Sequence, residues 1–232
     1  MKVKFRLKTP LLFFGFYVLM TLFVVPNIAP IFGREMVKNT SNISATNYMT
    51  VLLNRNYVKP ELNILLHQVS EDLKQIDSSI VVSYLDANFP FINGFPMFPH
   101  LSHNDGKKVD LAFLYYDSLK QQSSNNTPSY FGYGAYTEPK PNEENTALRC
   151  ENMGYWQYGF LGKILPERNT PNLILDEKRT RHLLLLLSQQ ATIKKIFIEP
   201  YLKMRLSLNS VNKIRFHGCQ AVRHDDHIHV QL

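Results

Sequence analysis

A long run of uncharged residues near the amino terminus constrains this chain more than any other feature. No charged side chain occurs from Thr9 to Gly33, and the core of the run, Leu11–Val25, reads LLFFGFYVLMTLFVV. Leu11–Phe32 supplies 22 mostly apolar positions, against the roughly 20 that a helix needs to cross a bilayer. The sequence therefore predicts one amino-terminal transmembrane helix, with residues 1–33 forming its basic flank and the anchor.

The distribution of charge indicates how that helix would be oriented. The chain has 26 Lys and Arg and 19 Asp and Glu residues, a net charge of +7. Residues 1–34 contain no acid and five of the basic residues, which are Lys2, Lys4, Arg6, Lys8 and Arg34. A basic segment before an apolar helix predicts a single pass with a cytoplasmic amino terminus, so residues 34–232 would lie outside the cytoplasm.

The alternative is a cleaved signal peptide, which has the same basic and apolar parts. Against it, no small-x-small cleavage site follows the run, and Pro26 and Pro30 crowd the region where it would lie. Both interpretations export the body of the protein. That body holds 21 basic against 19 acidic residues, and such a small excess argues against nucleic acid as a partner.

The two cysteines bear on the same question of compartment. In an exported domain a pair of cysteines most simply forms one disulfide, so Cys150 and Cys219 are a disulfide candidate. Two separate buried thiols are the alternative. A chain with two cysteines cannot build a zinc site from four thiolates.

After the apolar run, residues 34–56 are rich in Asn, Ser and Thr and are expected to form a stalk before a domain over residues 57–232. Pro60 and Glu61 suit the first turn of a helix, and aliphatic residues at helical spacing extend it to residue 76. The other expected elements are strands at Ser79–Leu85, Val109–Tyr116, Ile196–Glu199, Val211–Phe216 and His227–Gln231, and helices at Asp176–Lys194 and Pro200–Leu208.

These elements alternate without βαβ regularity, so the domain is predicted to be α+β, with a central antiparallel sheet packed with helices. Residues 118–146 contain many Ser, Asn, Gly and Pro residues. They are expected to form a surface excursion near the functional face, or a flexible insert.

Histidines in two segments suggest a metal site. His227 and His229 are two apart in a predicted strand and so point to the same face. His103 lies in a loop, Asp110 begins another predicted strand, and Gly106 between them lets the loop turn back. His103, Asp110 and His229 together offer two nitrogens and one oxygen, and a catalytic zinc takes three protein ligands and keeps one position open.

Each of these pieces has a simpler explanation when taken alone. His103 and Asp110 could share an ordinary loop hydrogen bond, and most H-x-H pairs are surface or satisfied core residues. Among the remaining histidines, His217 is expected to be structural, and His100 draws attention only because it shares the loop of His103.

The combined pattern resembles a known family. The string S-H-x-x-G-x-x-x-D, formed by Ser102, His103, Gly106 and Asp110, is followed far downstream by D-H-x-H at 226–229. This pair of motifs is similar to the ligand signature of zinc peptidases that act on bacterial peptidoglycan and share a fold with the hedgehog signalling domain. The additional His224 and the segment Ile196–Leu206 resemble the penicillin-insensitive murein endopeptidases among them. The resemblance covers about residues 60–232, but its motifs occupy few positions.

The resemblance implies that His103, Asp110 and His229 bind Zn²⁺ and that His227 stabilises the oxyanion of the tetrahedral intermediate. The general base would be Asp226 or His224. Strict strand alternation puts both on the face opposite His229, so they can act only if the chain turns into the strand at about Asp226.

The implied function is a zinc metallopeptidase in the periplasm, held to the membrane by its amino-terminal helix, that cuts peptide cross-links or stem peptides of peptidoglycan. A D,D- or L,D-carboxypeptidase of the same fold is the alternative within the enzyme class. A zinc-binding cell-envelope module without turnover is the alternative outside it.

Overall fold

The computed structural model of the protein describes residues 8–98, 100–159, 170 and 172–232. Its helices are α1 (Lys8–Phe32), α2 (Tyr48–Leu52), α3 (Pro60–Ile76), α4 (Thr146–Asn152), α5 (Glu177–Gln189) and α6 (Pro200–Arg205). Its strands are β1 (Glu35–Met36), β2 (Ile43–Ala45), β3 (Tyr57–Val58), β4 (Val82–Tyr84), β5 (Lys108–Ala112), β6 (Tyr115–Asp117), β7 (Gln122–Ser124), β8 (Leu173–Leu175), β9 (Lys195–Phe197), β10 (Ile214–Arg215) and β11 (His227–Gln231). The combination is an α+β fold, as the sequence predicts.

α1 is long and apolar enough to cross a membrane, so it could be a membrane anchor or a signal sequence. Its geometry is π-helical at Met20–Val24 and 3₁₀ at Ala29–Phe32. From Tyr17 onward, one side of this helix rests on the domain. The Tyr17 hydroxyl donates to the carbonyl oxygen of Leu52 (2.7 Å), and Asn54 Nδ2 donates to Thr21 Oγ1 (3.2 Å).

α3 has the predicted bounds, Pro60–Ile76, with proline in its first turn. Its buried face packs against α5 and consists of Leu62, Leu65, Leu66, Val69, Ser70 and Leu73. α5 begins after Asp176, whose side chain accepts the Arg179 N–H (3.0 Å), a typical helix cap. It ends at Gln189, earlier than the predicted end at Lys194.

Six strands form the central sheet in the order β10-β9-β11-β5-β4-β2. β5 pairs antiparallel with both β11 and β4, and β11 also pairs antiparallel with β9. The two outer pairs, β2 with β4 and β9 with β10, are parallel. The expectation of an antiparallel sheet thus holds for the strands at its centre, while the sheet as a whole is mixed.

The predicted strand Val109–Tyr116 is wrong as a single element. It divides into β5, in the central sheet, and β6, in the three-stranded antiparallel sheet β7-β6-β8. The break occurs because Leu114 turns to α5: its N–H donates to Thr180 Oγ1 (3.2 Å), and its carbonyl accepts the Asp176 N–H (2.8 Å). Other predicted strands are present but shorter, since Ser79–Leu85 is reduced to β4 and Val211–Phe216 to β10.

Residues 34–56 are not a stalk, which corrects the expectation from composition. They contain β1, β2 and α2, and β2 is an edge strand of the central sheet. Ile43 is fully buried in the main core, and the side chain of Asn47 caps α2. Asn, Ser and Thr are abundant here because they form caps and turns, and the domain therefore follows α1 directly.

Residues 118–146 are partly packed into the domain and are not purely a surface excursion. They contribute β7, and Thr127, Ser129 and Tyr133 are buried within the segment. A disulfide joins Cys150 of α4 to Cys219, which lies between β10 and β11.

Candidate metal centre

Strands β5 and β11 place three of the predicted site residues side by side in the central sheet. In their antiparallel register Asp110 lies opposite His229, and Ala112 lies opposite His227. Residues directly opposite each other, and residues two apart in one strand, project from the same face of a sheet. Asp110, His227 and His229 therefore share a face, while Ile228 is fully buried.

The loop before β5 brings His103 to the same face. Gly106 has a φ angle of +78°, a left-handed conformation that favours glycine, and a Cβ atom there would lie 2.4 Å from Arg34 Cζ. The loop folds back, and His103 Nδ1–H donates to the carbonyl oxygen of Ala87 (2.9 Å). This hydrogen bond fixes the ring so that the other nitrogen, Nε2, faces Asp110.

Three ligand atoms converge at this point. His103 Nε2 lies 3.2 Å from Asp110 Oδ1 and 3.2 Å from His229 Nδ1, and the latter two atoms are 2.8 Å apart. A tetrahedral metal ion with bonds of about 2.1 Å separates its ligand atoms by about 3.4 Å. The three buried side chains therefore stand close to the spacing that one such ion requires.

The charge states of Asp110 and His229 also suit a metal ion, which needs an ionised carboxylate and neutral imidazoles. Burial alone would raise the pKa of Asp110, but the adjacent imidazoles of His103 and His227 hold that pKa well below its usual value. Burial lowers the pKa of His229 to about 4, against the opposing effect of Asp110. At neutral pH the Asp110 carboxylate is therefore an anion, and the His229 ring is neutral.

His100 lies on the other side of the same carboxylate. With His103 and Asp110 it forms a buried group that could hold a metal ion. Its Nδ1 atom lies 3.1 Å from Asp110 Oδ2 and 3.3 Å from Asp86 Oδ2. The Tyr133 hydroxyl donates to Asp110 Oδ2 (2.8 Å). Asp110 therefore presents Oδ1 to His103 while Oδ2 faces His100 and Tyr133.

The sequence drew attention to His100 only because it shares a loop with His103. It did not point to Asp86 or Tyr133 individually. Asp86 follows the end of β4, the neighbour of β5, by two residues. An acid that follows a buried strand next to a ligand-bearing strand is a signal that could have found it. Tyr133 reaches the site from residues 118–146, and no local pattern shows that contact.

His227 is held by the residue before it. Its Nδ1 atom is 2.5 Å from Asp226 Oδ1, and Asp226 Oδ2 accepts the N–H of Gly134 (2.6 Å). The other ring nitrogen, Nε2, lies 3.8 Å from Asp110 Oδ1 and has no hydrogen-bond partner among the described residues. A buried nitrogen left open beside three converging ligand atoms fits a site built for a bound ion and a reacting group.

His224 and Asp226 have different positions around this centre. β11 begins at His227, so the chain bends before the strand and strict alternation does not govern these two residues. His224 lines the cavity, with its ring centroid 4.9 Å from that of His227. Asp226 is buried but is not among the residues that line the cavity. Burial, reinforced by His227 and His229, holds the pKa of His224 well below its usual value, so its imidazole is neutral.

A buried network of acidic side chains holds the backbone of His224. Glu199 Oε1 accepts the backbone N–H of His224 (3.1 Å) and the Tyr158 hydroxyl (2.6 Å). Burial and the nearby charge of Asp225 raise the pKa of Glu199 to about 7. Burial likewise raises the pKa of Asp225 to about 6, although Arg223 bonds both of its carboxylate oxygens.

The centre opens into a cavity of about 280 Å³. Its walls are formed by the ligand loop, the site strands and the segment before β11, and its lining residues are His100, Leu101, Ser102, His103, Asp110, His217, Gln220, Ala221, Val222, His224, His227 and His229. The ring of His217, expected to be structural, lies against Phe197 with a centroid distance of 4.1 Å and faces this cavity.

In comparisons with protein-family models and with curated proteins, no match to this chain was found. The functional assignment therefore depends on the residues of the site and on the resemblance of its two motifs.

Proposed function

We propose that the protein is a zinc metallopeptidase that hydrolyses peptide cross-links or stem peptides of bacterial peptidoglycan. The observation that carries the proposal is the convergence of His103 Nε2, Asp110 Oδ1 and His229 Nδ1. Three protein ligands leave one position of a tetrahedral zinc open, which distinguishes catalytic from structural zinc sites. The peptidoglycan substrate is proposed from the resemblance of the S-H-x-x-G-x-x-x-D and D-H-x-H motifs to those of murein endopeptidases.

Zinc held by these three residues would lower the pKa of a bound water toward 7 and polarise the scissile carbonyl. The remaining chemistry falls to the protein's own side chains. His227, whose Nδ1–H donates to Asp226, would in its protonated form present Nε2–H to the cavity as a hydrogen-bond donor. In that position it would stabilise the negative charge that develops on the carbonyl oxygen.

Of the two candidates for the general base, the geometry favours His224. Its neutral imidazole lines the cavity, so it can take a proton from water and return it to the leaving amine. Both carboxylate oxygens of Asp226 already accept hydrogen bonds, one from His227 and one from the Gly134 N–H. Asp226 therefore acts by orienting His227. In this proposal α1 anchors the domain, with a cytoplasmic amino terminus and the cavity in the periplasm.

The test uses the full chain, purified in detergent and incubated with cross-linked murein, with muropeptides separated and identified by mass spectrometry. Zinc-loaded and chelator-treated protein are compared, together with His229→Ala. The matched control is His67→Ala, because His67 lies on α3 outside the cavity lining.

We expect cross-linked dimers to disappear with the zinc-loaded protein and the His67 variant, and to persist with chelator or the His229 variant. Shortened stems with intact cross-links would assign the D,D- or L,D-carboxypeptidase instead. Bound zinc without any product would contradict an enzymatic role and leave a zinc-binding envelope module.

A further inference from the structure

Among the long stretches of the sequence without Asp, Glu, Lys or Arg are Thr9–Gly33, Asn39–Asn54 and Ala87–Asn104. The first contains nearly all of α1, the second contains α2, and the third contains the loop that carries His100 and His103. In the structure the three stretches meet on one side of the domain.

Several contacts hold them together. α1 bonds to α2 and the turn after it through Tyr17 and Thr21. At its carboxyl end, the ring of Phe32 packs edge-on against Phe91 of the ligand loop, with centroids 5.2 Å apart. Arg55, three residues after the end of α2, donates to the carbonyl oxygen of Phe98 (2.9 Å). The three stretches therefore form a connected surface.

This surface exposes many large apolar side chains. Phe98 is 69% exposed although the residues around it belong to the domain. The exposed members are Leu11, Leu12, Phe13, Phe14, Phe16, Leu19, Leu22, Phe23, Ile28, Ile31 and Phe32 on α1, Tyr48 and Met49 on α2, Leu53 just after it, and Ile92, Phe98 and Leu101 on the loop. A connected apolar surface of this kind marks a site of interaction.

The contact between α1 and the domain indicates which kind of partner covers this apolar surface. Tyr17 contacts the end of α2, so the part of the uncharged run that precedes that contact is Thr9–Phe16, a length of about 12 Å at 1.5 Å per residue. The hydrocarbon core of a bilayer is about 30 Å thick. If the docked α1 enters a membrane, whether upright or oblique, the end of α2 must reach the lipid with it.

We propose that α2 and the ligand loop enter the lipid beside α1, and that the three together form one membrane-binding surface. Tyr48 suits the headgroup level, where tyrosine is enriched. The apolar side chains Met49, Leu53, Ile92 and Phe98 enter the acyl boundary, and no charged residue within the three stretches opposes their burial.

The metal cavity opens beside this surface, because Leu101 belongs both to its lining and to the exposed loop. If the cavity is the active site, as the proposed function holds, it accepts peptides held close to the membrane. The membrane surface itself does not depend on that activity.

The test places single tryptophans in a Trp156→Phe background of the full chain, reconstituted in phosphatidylcholine vesicles with or without bromine on the acyl chains. Met49→Trp and Phe98→Trp probe the surface. Phe14→Trp, on the exposed part of α1, is the positive control, and Leu119→Trp, an 81% exposed residue in the β6–β7 turn, is the negative control.

We expect bromine to quench the emission of the tryptophans at 49 and 98 about as strongly as that at 14, and to leave the one at 119 unchanged. Quenching at 49 and 98 no greater than at 119 would overturn the proposal, as would absence of quenching at 14. A blue shift at 49 and 98 that is independent of bromine would assign the surface to contact with a second copy of the chain. Because the readout needs neither metal nor turnover, its failure is distinct from a failure of the proposed function.

Discussion

The imidazole of His227 depends on a carboxylate that does not itself line the cavity. Asp226 accepts from His227 Nδ1 at 2.5 Å and is anchored by the Gly134 N–H. The charge of Asp110 and that of Asp226 raise the pKa of His227 against the effect of burial. Asp226 thereby sets both the orientation and the charge of the ring.

Replacing the Asp226 carboxylate by an amide should weaken hydrolysis without releasing the metal. Asp226→Asn should lower murein hydrolysis by about 10- to 100-fold, the usual effect of losing a residue that orients a site group, while zinc content stays at the wild-type level. Kinetic measurements and metal analysis of the same preparations check the expected loss of hydrolysis and the unchanged zinc content. Unchanged hydrolysis, or loss of zinc, would contradict an orienting role.

Glu199 gives a prediction about pH. Its pKa is raised from 4.5 to about 7 by burial and by Asp225. Between these two values the folded state keeps a proton that the unfolded state has lost, so stability falls as pH rises through this window. The full difference corresponds to about 3 kcal/mol, at 1.36 kcal/mol for each pKa unit.

Glu199→Gln keeps the acceptor for Tyr158 and for the His224 N–H but cannot ionise. Compared with the wild type, the variant should therefore become relatively more stable at pH 8 than at pH 5. Urea unfolding of both proteins at the two pH values measures this difference. An equal difference in unfolding free energy at pH 5 and pH 8 would show that Glu199 does not ionise in this window.

At the level of single residues, motif spacing was enough to find the residues whose ligand atoms converge, namely His103, Asp110 and His229. It could not rank Asp226 and His224, because their roles depend on a bend immediately before β11. Asp86 and Tyr133 reach Asp110 from other parts of the chain, through contacts that arise only in the folded structure.

At the level of elements, the disulfide between α4 and the segment before β11 holds one wall of the cavity. Cys150 and Cys219 are 69 residues apart in sequence, and closing a loop of that length stabilises a fold by about 4 kcal/mol in the chain-entropy description. Reduction should therefore lower the unfolding free energy by about that amount.

In the proposed site, zinc should remain bound after reduction, because the proposed ligands lie on β5, β11 and the loop before β5. Denaturant unfolding with and without reductant, with Cys150→Ala/Cys219→Ala as the matched variant, tests the stability change. Agreement between the reduced protein and the variant is expected, and an unchanged unfolding midpoint in both would contradict it.

Elements with a strong periodic pattern were predictable, and those shaped by tertiary contacts were not. α3 and β11 have their predicted bounds because leucine spacing and strand alternation reflect a single buried face. The predicted strand over residues 109–116 divides because Leu114 bonds to α5. Residues 34–56 contain an edge strand that their polar composition did not predict. Composition describes exposure to solvent on average, but it does not show which backbone groups pair.

At the scale of the whole molecule, the candidate centre connects distant parts of the chain. His103 and His229 are 126 residues apart in sequence and 3.2 Å apart at their ring nitrogens. A metal bound there stabilises the folded state by mass action, about 2.7 kcal/mol when its free concentration is 100 times its dissociation constant. Thermal unfolding should accordingly shift upward with zinc in the wild type, and not in His229→Ala.

Metal stoichiometry shows whether His103, Asp110 and His229 hold one metal ion. The full chain, loaded with zinc and then freed of excess metal, is measured by inductively coupled plasma mass spectrometry beside Asp110→Asn, His229→Ala and the control His67→Ala. We predict one zinc per chain in the wild type and the control, and near none in the two ligand variants. Equal zinc in all four proteins, or none in the wild type, would show that these three residues do not form a metal site.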